Sequence, residues 1–179
     1  MGQLVILDRD GVINEDSSAF IKSPAEWRPI PGSLEAIARL NRAGYQVVVA
    51  TNQSGVGRGL FDIRTLTAIH RRMRQELAAL GGRIDAIFFC PHTPEAKCAC
   101  RKPAPGLLRE IQERLQISLE QVPAIGDSMR DMVAARAAGA QPMLVLTGKG
   151  QSMRLAAEAA GVSVFADLNA AVHAILGVP

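Results

Sequence analysis

The stretch Leu4-Val5-Ile6-Leu7-Asp8-Arg9-Asp10-Gly11 decides the fold of this chain. Four consecutive aliphatic residues predict a buried strand, because strands of parallel sheets are covered on both faces and read as continuous apolar runs. Two carboxylates two residues apart then leave the strand end, and a glycine that permits a sharp turn follows them. The stretch therefore predicts a strand that delivers acidic side chains to the edge of a parallel sheet.

Short apolar runs alternate with helical patterns along the rest of the chain. The runs that predict further strands are 47–50, 86–89, 124–125, 143–146 and a short one near 164. Helical patterns lie between them, and Ser33 and Asp62 are the predicted N-caps of the first two helices. Strands that alternate with helices in this way predict an α/β fold, a parallel sheet with helices on both faces. No linker or internal repeat interrupts the pattern, so we expect a single domain over residues 1–179.

Composition excludes several classes of protein. Hydrophobic residues make up 48% and charged residues 21% of the 179 residues, which is typical of one soluble globular domain and not of a disordered, collagen-like or rod-shaped chain. The net charge of +3 suits a small anionic substrate and gives no ground for expecting nucleic acid as a partner. No signal peptide or membrane-length apolar run is visible, so we expect a cytoplasmic protein, without membrane contact, that acts as a monomer.

Acidic residues follow two of the predicted strands. Asp8 and Asp10 follow the first, and the segment Gly126-Asp127-Ser128-Met129-Arg130-Asp131 follows another. The carboxyl ends of parallel strands meet at one edge of a sheet, so these carboxylates can hold a divalent cation together. Mg²⁺ is the natural candidate, because it binds one or two carboxylates and keeps water and phosphate oxygens as its other ligands. Asp131 either faces this site or serves only as a favourable charge at a helix start.

The same residues can hydrolyse a phosphate ester. Asp8 can attack phosphorus to form an aspartyl-phosphate, and Asp10 can protonate the leaving alkoxide and then deprotonate water. An anionic nucleophile that approaches an anionic phosphate needs cations nearby, which Mg²⁺ and Lys102 can supply. Thr51 and the backbone N–H groups after it can bind the phosphoryl oxygens. The predicted catalytic residues are therefore Asp8, Asp10, Thr51 and Lys102.

All three cysteines of the chain fall within one short segment. Cys90, Cys98 and Cys100 combine with His92 in the pattern Cys-x-His-x5-Cys-x-Cys. Three thiolates and an imidazole form a closed tetrahedral Zn²⁺ site with no open position, so the metal is predicted to be structural. It would fix the chain directly before Arg101 and Lys102.

Four segments together resemble the ordered motifs of the haloacid dehalogenase-like phosphatases. They are Leu7-Asp8-Arg9-Asp10-Gly11-Val12-Ile13-Asn14, Thr51-Asn52-Gln53-Ser54-Gly55, Arg101-Lys102-Pro103 and Gly126-Asp127-Ser128-Met129-Arg130-Asp131. The resemblance implies a Rossmann-like fold and Mg²⁺ held by Asp8, the backbone carbonyl of Asp10, and Asp127. The short gaps between these motifs leave no room for a cap domain, so we expect substrate choice to lie in the loops 14–27 and 52–60 and in the cysteine segment.

The cysteine segment resembles a branch of that family whose members hydrolyse a heptose bisphosphate or histidinol phosphate. The segments 51–59, 102–106 and 147–150 look more like the heptose-hydrolysing members. That resemblance implies removal of the C7 phosphate of a small phosphorylated sugar in nucleotide-heptose and lipopolysaccharide core precursor synthesis. It implies substrate contacts by Asp16, Ser17, Ser18, Ala19, Thr51, Asn52, Gln53, Ser54, Arg101 and Lys102.

Two other functions stay open at this point. One is a histidinol-phosphate phosphatase, and the other, from a different class, is a zinc-stabilised module that binds nucleic acid or protein. Arg58 is compatible with binding a second phosphate, since arginine recognises phosphate in a bidentate manner, and equally with an ordinary surface position. The pair Asp8 and Asp10 argues against the binding module, because carboxylates at the mouth of a site repel a phosphate backbone unless metal is bound.

Overall fold

The computed structural model describes residues 3–177. The strands are β1 (Gln3–Leu7), β2 (Tyr45–Asn52), β3 (Ala86–Cys90), β4 (Pro123–Gly126), β5 (Gln141–Val145) and β6 (Ser163–Phe165). The α-helices are α1 (Ser33–Arg42), α2 (Ser54–Gly57), α3 (Ile63–Ala79), α4 (Gly106–Leu115), α5 (Met129–Ala137), α6 (Gly150–Ala159) and α7 (Leu168–Leu176). Every pair of neighbouring strands is parallel, and the order across the sheet is β3-β2-β1-β4-β5-β6.

The alternation of side chains along the strands covers the sheet with helices on both faces. Val5 and Leu7 point to one face, where they pack in a core with residues of α1, α3 and α7. Leu4 and Ile6 point to the other face, where the core includes residues of α4 and α5. The predicted α/β fold with a doubly covered parallel sheet is therefore confirmed.

N-caps were predicted for the helices that the structure shows as α1 and α3, and one of the two predictions is wrong. Asp62 caps α3, because its carboxylate accepts a hydrogen bond from Thr65 N at 2.7 Å. The N-cap of α1 is Gly32, not Ser33, because the helix begins at Ser33 itself. Gly32 adopts a φ of +83°, a left-handed conformation that favours glycine. Ser33 is the first helical residue, and its hydroxyl donates to the carbonyl of Val12 at 2.9 Å.

The strand order places the functional edge of the sheet between β1 and β4. The chain proceeds from β1 towards β3 on one side and from β4 towards β6 on the other, so the direction of winding changes between these two strands. Ligands of open α/β sheets bind beyond the carboxyl ends of the strands at such a point. Asp8 directly follows β1 and Asp127 directly follows β4. Within residues 3–177, no helix has both the length and the apolar character needed to cross a membrane.

Candidate active site

A cavity of about 370 Å³ opens at this edge of the sheet. Its walls come from the ends of β1, β2 and β4 and from the loops between residues 16 and 20 and around 101 and 149. The charged residues that line it are Asp8, Asp10, Asp16, Arg58, Arg101, Lys102, Asp127, Arg130, Asp131 and Lys149. The four predicted catalytic residues therefore meet in one cavity.

Lys102 is a buried cation held by three oxygen atoms. Its Nζ lies 3.1 Å from Asp8 Oδ1 and 2.5 Å from Asp131 Oδ1, and it donates to the carbonyl of Ala50 at 2.8 Å. Burial disfavours the ammonium, but Asp131 and Asp8 outweigh this effect and raise the pKa of Lys102. The lysine is therefore charged at neutral pH and lies directly beside the predicted nucleophile.

The backbone of Lys102 is fixed by the end of β2. Asn52 Nδ2 donates to the carbonyl of Lys102 at 3.0 Å, and Lys102 N donates to Asn52 Oδ1 at 3.1 Å. One amide side chain thus satisfies both backbone groups of the lysine. Asn52 therefore fixes the backbone of Lys102 relative to the end of β2.

Burial and crowding strongly affect the carboxylate of Asp8. Burial raises its pKa to about 7; Lys102 opposes this, while Asp131, Asp127 and Asp10 add to it. Asp8 Oδ1 accepts a hydrogen bond from Arg9 N at 2.8 Å, which orients the carboxylate. Several negative charges are therefore concentrated where the sequence predicted a cation.

Asp10 lies in a different electrostatic environment. Its Oδ1 accepts hydrogen bonds from Arg9 and from Asn14 Nδ2 at 2.9 Å, and its Oδ2 accepts one from Gln53 Nε2 at 2.8 Å. Burial alone would raise the pKa of Asp10, but Arg9 and these hydrogen bonds lower it. The pKa values of the two aspartates of the Asp-Arg-Asp motif are thus shifted in opposite directions when no metal is bound.

Asp127 is held closely by two glycines. A Cβ atom at Gly11 would lie 2.1 Å from Asp127 Oδ2, and one at Gly148 would lie 2.2 Å from it. Both glycines have positive φ angles, of +80° and +58°. Asp127 Oδ2 also accepts a hydrogen bond from Lys149 N at 2.8 Å. Only residues without side chains leave room for the carboxylate, so its position is set by the backbone.

The acidic centre fits a Mg²⁺ ion by its donor set. Carboxylate oxygens of Asp8, Asp127 and Asp131 all lie within 4.8 Å of one another. Burial raises the pKa of Asp127 to about 6, and Asp131 adds to that effect. Both Asp8 and Asp127 are thus carboxylates whose ionised form a nearby divalent cation would stabilise.

Asp131 is a counter-ion of Lys102 in this arrangement. Its Oδ1 contacts the lysine, and its Oδ2 accepts hydrogen bonds from Ser128 N at 3.1 Å and Ser128 Oγ at 2.6 Å. Ser128 and Asp131 form a capping box at the start of α5. Both interpretations that the sequence left open for Asp131 therefore hold: it stabilises the helix start and also lines the cavity.

The cysteine segment forms a compact ligand cluster. The Sγ atoms of Cys90, Cys98 and Cys100 are 3.2–3.5 Å apart, and His92 Nδ1 lies 3.5 Å from Cys90 Sγ and 3.3 Å from Cys100 Sγ. All three cysteines are free. A tetrahedral site with Zn–S bonds of ~2.3 Å has sulfur atoms ~3.8 Å apart, so the four side chains fit Zn²⁺ after a small expansion.

Most of the predicted substrate contacts line the cavity, and two do not. Those that do are Asp16, Ser17, Ser18, Thr51, Asn52, Ser54, Arg101 and Lys102. Ala19 is not among the lining residues. Gln53 is 4% exposed and its side chain lies beneath the cavity against Asp10. The backbone N–H of Gln53 donates to the carbonyl of Cys90 at 2.7 Å, so this group is not available to a phosphoryl oxygen, contrary to the sequence-based expectation.

Three cavity arginines differ from the cavity lysines in their partners. Lys102 and Lys149 form ion pairs with carboxylates of the cavity. Within residues 3–177, the ion pairs of 4.0 Å or less include no carboxylate partner for Arg58, Arg101 or Arg130. We refer to these three residues as the arginine cluster. Of them, sequence reasoning missed Arg130, and the only available signal was its place between Asp127 and Asp131.

Sequence reasoning also missed three other residues that shape the site. Arg9 and Asn14 hold Asp10, although both lie within the motif that was quoted for its aspartates. Lys149 contacts Asp127 through its backbone and Asp16 through its Nζ, at 2.5 Å. The sequence 147–150 marked the position of Lys149 without indicating its partners.

Comparison with known proteins identifies the class. Residues 99–171 match a family model described as HAD-hyrolase-like. Two relatives named as phosphatases are 60% and 50% identical to this chain over 83% and 97% of its length. The chain therefore belongs to the haloacid dehalogenase-like phosphatases, which are phosphoric monoester hydrolases.

The relatives are more specific than the family. Both are named D-glycero-beta-D-manno-heptose-1,7-bisphosphate 7-phosphatase; the first, from Bordetella bronchiseptica, is covered over 83% of its length and the second, from Pseudomonas aeruginosa, over 97%. A crystal structure of D,D-heptose 1,7-bisphosphate phosphatase from B. bronchiseptica, complexed with magnesium and phosphate, superposes with a TM-score of 0.95. It is 54% identical in sequence, and the match covers 99% of both chains.

Proposed function

We propose that this protein removes the C7 phosphate of D-glycero-D-manno-heptose 1,7-bisphosphate, with Mg²⁺ as cofactor and an aspartyl-phosphate intermediate. The reaction would supply nucleotide-heptose precursors of the lipopolysaccharide core, and residues 1–179 would act as one phosphatase domain. The observation that carries the choice of substrate is the similarity over 99% of both chains to the B. bronchiseptica enzyme. The name of the sequence relatives specifies the β anomer.

Asp8 is the proposed nucleophile. A carboxylate oxygen of Asp8 attacks phosphorus, and the bond between phosphorus and the C7 oxygen breaks. Lys102, 3.1 Å from Asp8, stabilises the negative charge that accumulates as the two anions meet. Thr51 lines the same cavity and can donate its hydroxyl to a phosphoryl oxygen.

Asp10 is the proposed general acid and base. It gives a proton to the C7 oxygen as the sugar leaves and later takes a proton from the water that attacks the aspartyl-phosphate. This second step releases inorganic phosphate and restores the Asp8 carboxylate. Carboxylates of Asp8 and Asp127 with the carbonyl of Asp10 would hold Mg²⁺, which when bound offsets the charge of the transferred phosphoryl group.

The arginine cluster supports a second anionic group on the substrate. Among residues 3–177, none of these three guanidinium groups forms an ion pair of 4.0 Å or less with a carboxylate, although Glu95 acts on Arg58 and Arg101 at longer range. All three line the same cavity as the reacting residues. Burial and the nearby Arg130 lower the pKa of Arg101, which reflects repulsion between like charges that an anion would relieve. A second phosphate meets that need, because arginine binds phosphate in a bidentate manner. Histidinol phosphate instead carries a cationic amine at its other end, so the cluster disfavours it.

A structural Zn²⁺ is proposed for Cys90, His92, Cys98 and Cys100. Arg101 Nη1 donates to the carbonyl of His92 at 3.3 Å, so one of the proposed zinc ligands is connected directly to an arginine of the cavity. Four protein ligands leave no open coordination position for water activation. The metal would therefore serve the substrate contact of Arg101 and take no part in the chemical step.

A phosphate-release panel tests this proposal. It contains both anomers of heptose 1,7-bisphosphate, heptose 7-phosphate and histidinol phosphate, each with and without Mg²⁺. The β bisphosphate should give the highest kcat/KM, and Arg130→Gln should raise KM for the bisphosphate while leaving that for heptose 7-phosphate within about threefold. A higher kcat/KM for histidinol phosphate would overturn the substrate assignment.

The variant Asp8→Asn tests the mechanism and the alternative class together. It keeps the shape of the side chain and removes the nucleophile, so turnover should be lost with the fold retained. Substantial residual turnover would exclude the covalent step. If wild-type protein released phosphate from none of these esters, a zinc-stabilised binding module would be the better description.

A further inference from the structure

Arg9 is a buried cation whose side-chain partners come from several parts of the fold. Its side chain is fully buried, and Nε and Nη2 donate to Asp10 Oδ1 at 3.0 and 2.8 Å. Nη2 also lies 3.3 Å from Gln53 Oε1. The remaining nitrogen, Nη1, lies 3.2 Å from Nε2 of His70 in α3. Asp10 and Gln53 accept hydrogen bonds from Nε and Nη2, so His70 Nε2 is the side-chain acceptor that pairs with Nη1. Without such an acceptor, a buried donor would be unpaired, which costs free energy.

The chemistry of arginine fixes the protonation of His70. A guanidinium stays protonated in proteins and has no acceptor, so Arg9 Nη1 donates and His70 Nε2 accepts. The imidazole must then be neutral, with its proton on Nδ1. Burial and, secondarily, Arg9 lower the pKa of His70 to about 3, in agreement with this assignment. The ring also packs edge-on against Phe89, with the ring centroids 6.4 Å apart.

The orientation of Gln53 depends on the same guanidinium. Because Gln53 Oε1 accepts from Arg9, its Nε2 donates to Asp10 Oδ2 at 2.8 Å and to Thr51 Oγ1 at 3.0 Å. Arg9 therefore holds Asp10 directly and Thr51 through Gln53. In the proposed function, Asp10 and Thr51 both contact the substrate.

We propose that His70 is a positioning residue of the phosphatase reaction: from α3 it holds the guanidinium of Arg9, and through it Asp10, so that Asp10 meets the leaving oxygen of the phosphate ester in the correct geometry. His70 itself does not line the cavity and touches no reacting atom. This inference rests on the proposed function, since it takes from it the proton transfer by Asp10.

The test compares two leaving groups. His70→Leu removes the acceptor and keeps an apolar side chain, whereas His70→Gln offers Oε1 near the position of Nε2. The value of kcat/KM is measured with a sugar phosphate, whose alkoxide must be protonated as it leaves, and with p-nitrophenyl phosphate, whose phenolate leaves without a proton. Met73→Leu, one turn further along α3 and also buried, is the control for altered packing.

His70→Leu should lower kcat/KM for the sugar phosphate about 10- to 100-fold, the scale on which misplaced catalytic groups act. The loss with p-nitrophenyl phosphate should stay below about threefold, and His70→Gln should restore most of the activity on the sugar phosphate. Met73→Leu should affect both substrates by less than about threefold. Equal losses on both substrates, or no loss in His70→Leu, would overturn the proposal.

A measurement on the wild-type protein keeps the proposal testable if His70→Leu does not fold. The imidazole ¹⁵N signals of His70 should show a neutral ring protonated at Nδ1 between pH 5 and 8, and a proton on Nε2 would overturn the proposed contact. Wild-type turnover separates the two hypotheses. If the heptose bisphosphate is not hydrolysed but another sugar phosphate is, the proposed substrate fails, and the leaving-group comparison still decides the role of His70.

Discussion

The Nζ atom of Lys102 lies 2.5 Å from Asp131 Oδ1 and 3.1 Å from Asp8 Oδ1, so the proposed nucleophile and a helix-start carboxylate share one buried cation. The side chains of all three are at most 13% exposed. Each carboxylate therefore affects how strongly the lysine is drawn to the other. Because Lys102 also pairs with Asp131, its positive charge compensates only part of the negative charge of Asp8 before substrate arrives.

Replacing Asp131 by asparagine should weaken both catalysis and folding. Lys102 would then pair with Asp8 alone, which makes Asp8 a poorer nucleophile, and kcat should fall about 100-fold. Because one partner of the lysine remains, the free energy of unfolding should fall by about 2 kcal/mol, less than the ~3–5 kcal/mol for a buried ion pair that is fully broken. Phosphate-release kinetics and urea denaturation measure the two effects.

Asp62→Asn is the matched control for that variant. Asp62 caps α3 on the surface, and asparagine is an equally good cap, so both quantities should stay close to wild type. An Asp131→Asn protein with wild-type kcat would show that the shared cation does not govern catalysis.

The affinity for Mg²⁺ should depend on pH below neutrality. Burial raises the pKa of Asp8 to about 7 and that of Asp127 to about 6 when no metal is bound. Protons therefore compete with the cation, and the Mg²⁺ concentration for half-maximal activity should rise about tenfold per pH unit between pH 7 and 6. A Mg²⁺ requirement that is constant from pH 6 to 8 would contradict this prediction.

The same groups determine how Mg²⁺ affects stability. A carboxyl whose folded-state pKa is raised stabilises the metal-free fold below its unfolded pKa, near 3.8, and that stabilisation is lost as pH rises through the folded value. The increase in Tm on adding Mg²⁺ should therefore be larger at pH 8 than at pH 6. In Asp8→Asn the difference should shrink, because only Asp127 remains with a pKa near 6.

Metal analysis of the purified protein should find zinc in an equimolar amount, and Cys98→Ser should lose it. Arg101 is bonded to His92, whereas Asn52 holds Lys102. Loss of zinc should therefore raise KM for the bisphosphate more than it lowers kcat, and should lower Tm, since metal binding contributes to folding. Glu110→Gln, which changes an exposed ion pair with Arg114 on α4, should keep both zinc and KM.

Gly148→Ala should weaken Mg²⁺ binding through Asp127. The added Cβ would lie 2.2 Å from Asp127 Oδ2, so the carboxylate must move. The Mg²⁺ concentration for half-maximal activity should rise at least about tenfold, the cost usually seen when the support of a metal ligand is lost. Gly161→Ala has a similar φ of +68° with nothing within 4 Å, so it should show the backbone strain without the change in Mg²⁺ requirement.

Much of the fold was predictable because it depends on periodic patterns. The apolar runs at Leu4–Leu7 and 47–50 had to be buried on both faces, and the parallel sheet follows from that. The carboxyl ends of its strands then had to bring Asp8 and Asp127 together, whatever the details of the helices. The sequence therefore located the cavity at the carboxyl edge of the sheet, whereas the order of the strands along that edge came from the structure.

Contacts between distant segments could not be predicted in the same way. Arg9 lies between two acidic residues, a position that suggests exposure, and its burial depends on how α3 packs over the sheet. The pairing of Asn52 with Lys102 joins residues separated by 50 positions. At the start of α1, Ser33 has the chemistry of an N-cap, but Gly32 takes that position. Gly32 adopts a left-handed conformation, which the sequence alone does not specify.

The support that Asn52 gives to Lys102 has a consequence for how such enzymes can diverge. Two hydrogen bonds from Asn52 hold the backbone of Lys102 at the end of β2. The segment between His92 and Cys98 can therefore become longer or shorter without displacing the reacting centre. Insertions there would alter the reach and the charge of the cavity rim while leaving phosphate cleavage intact. New substrates could therefore be acquired by exchanging this loop, with no compensating change in the sheet.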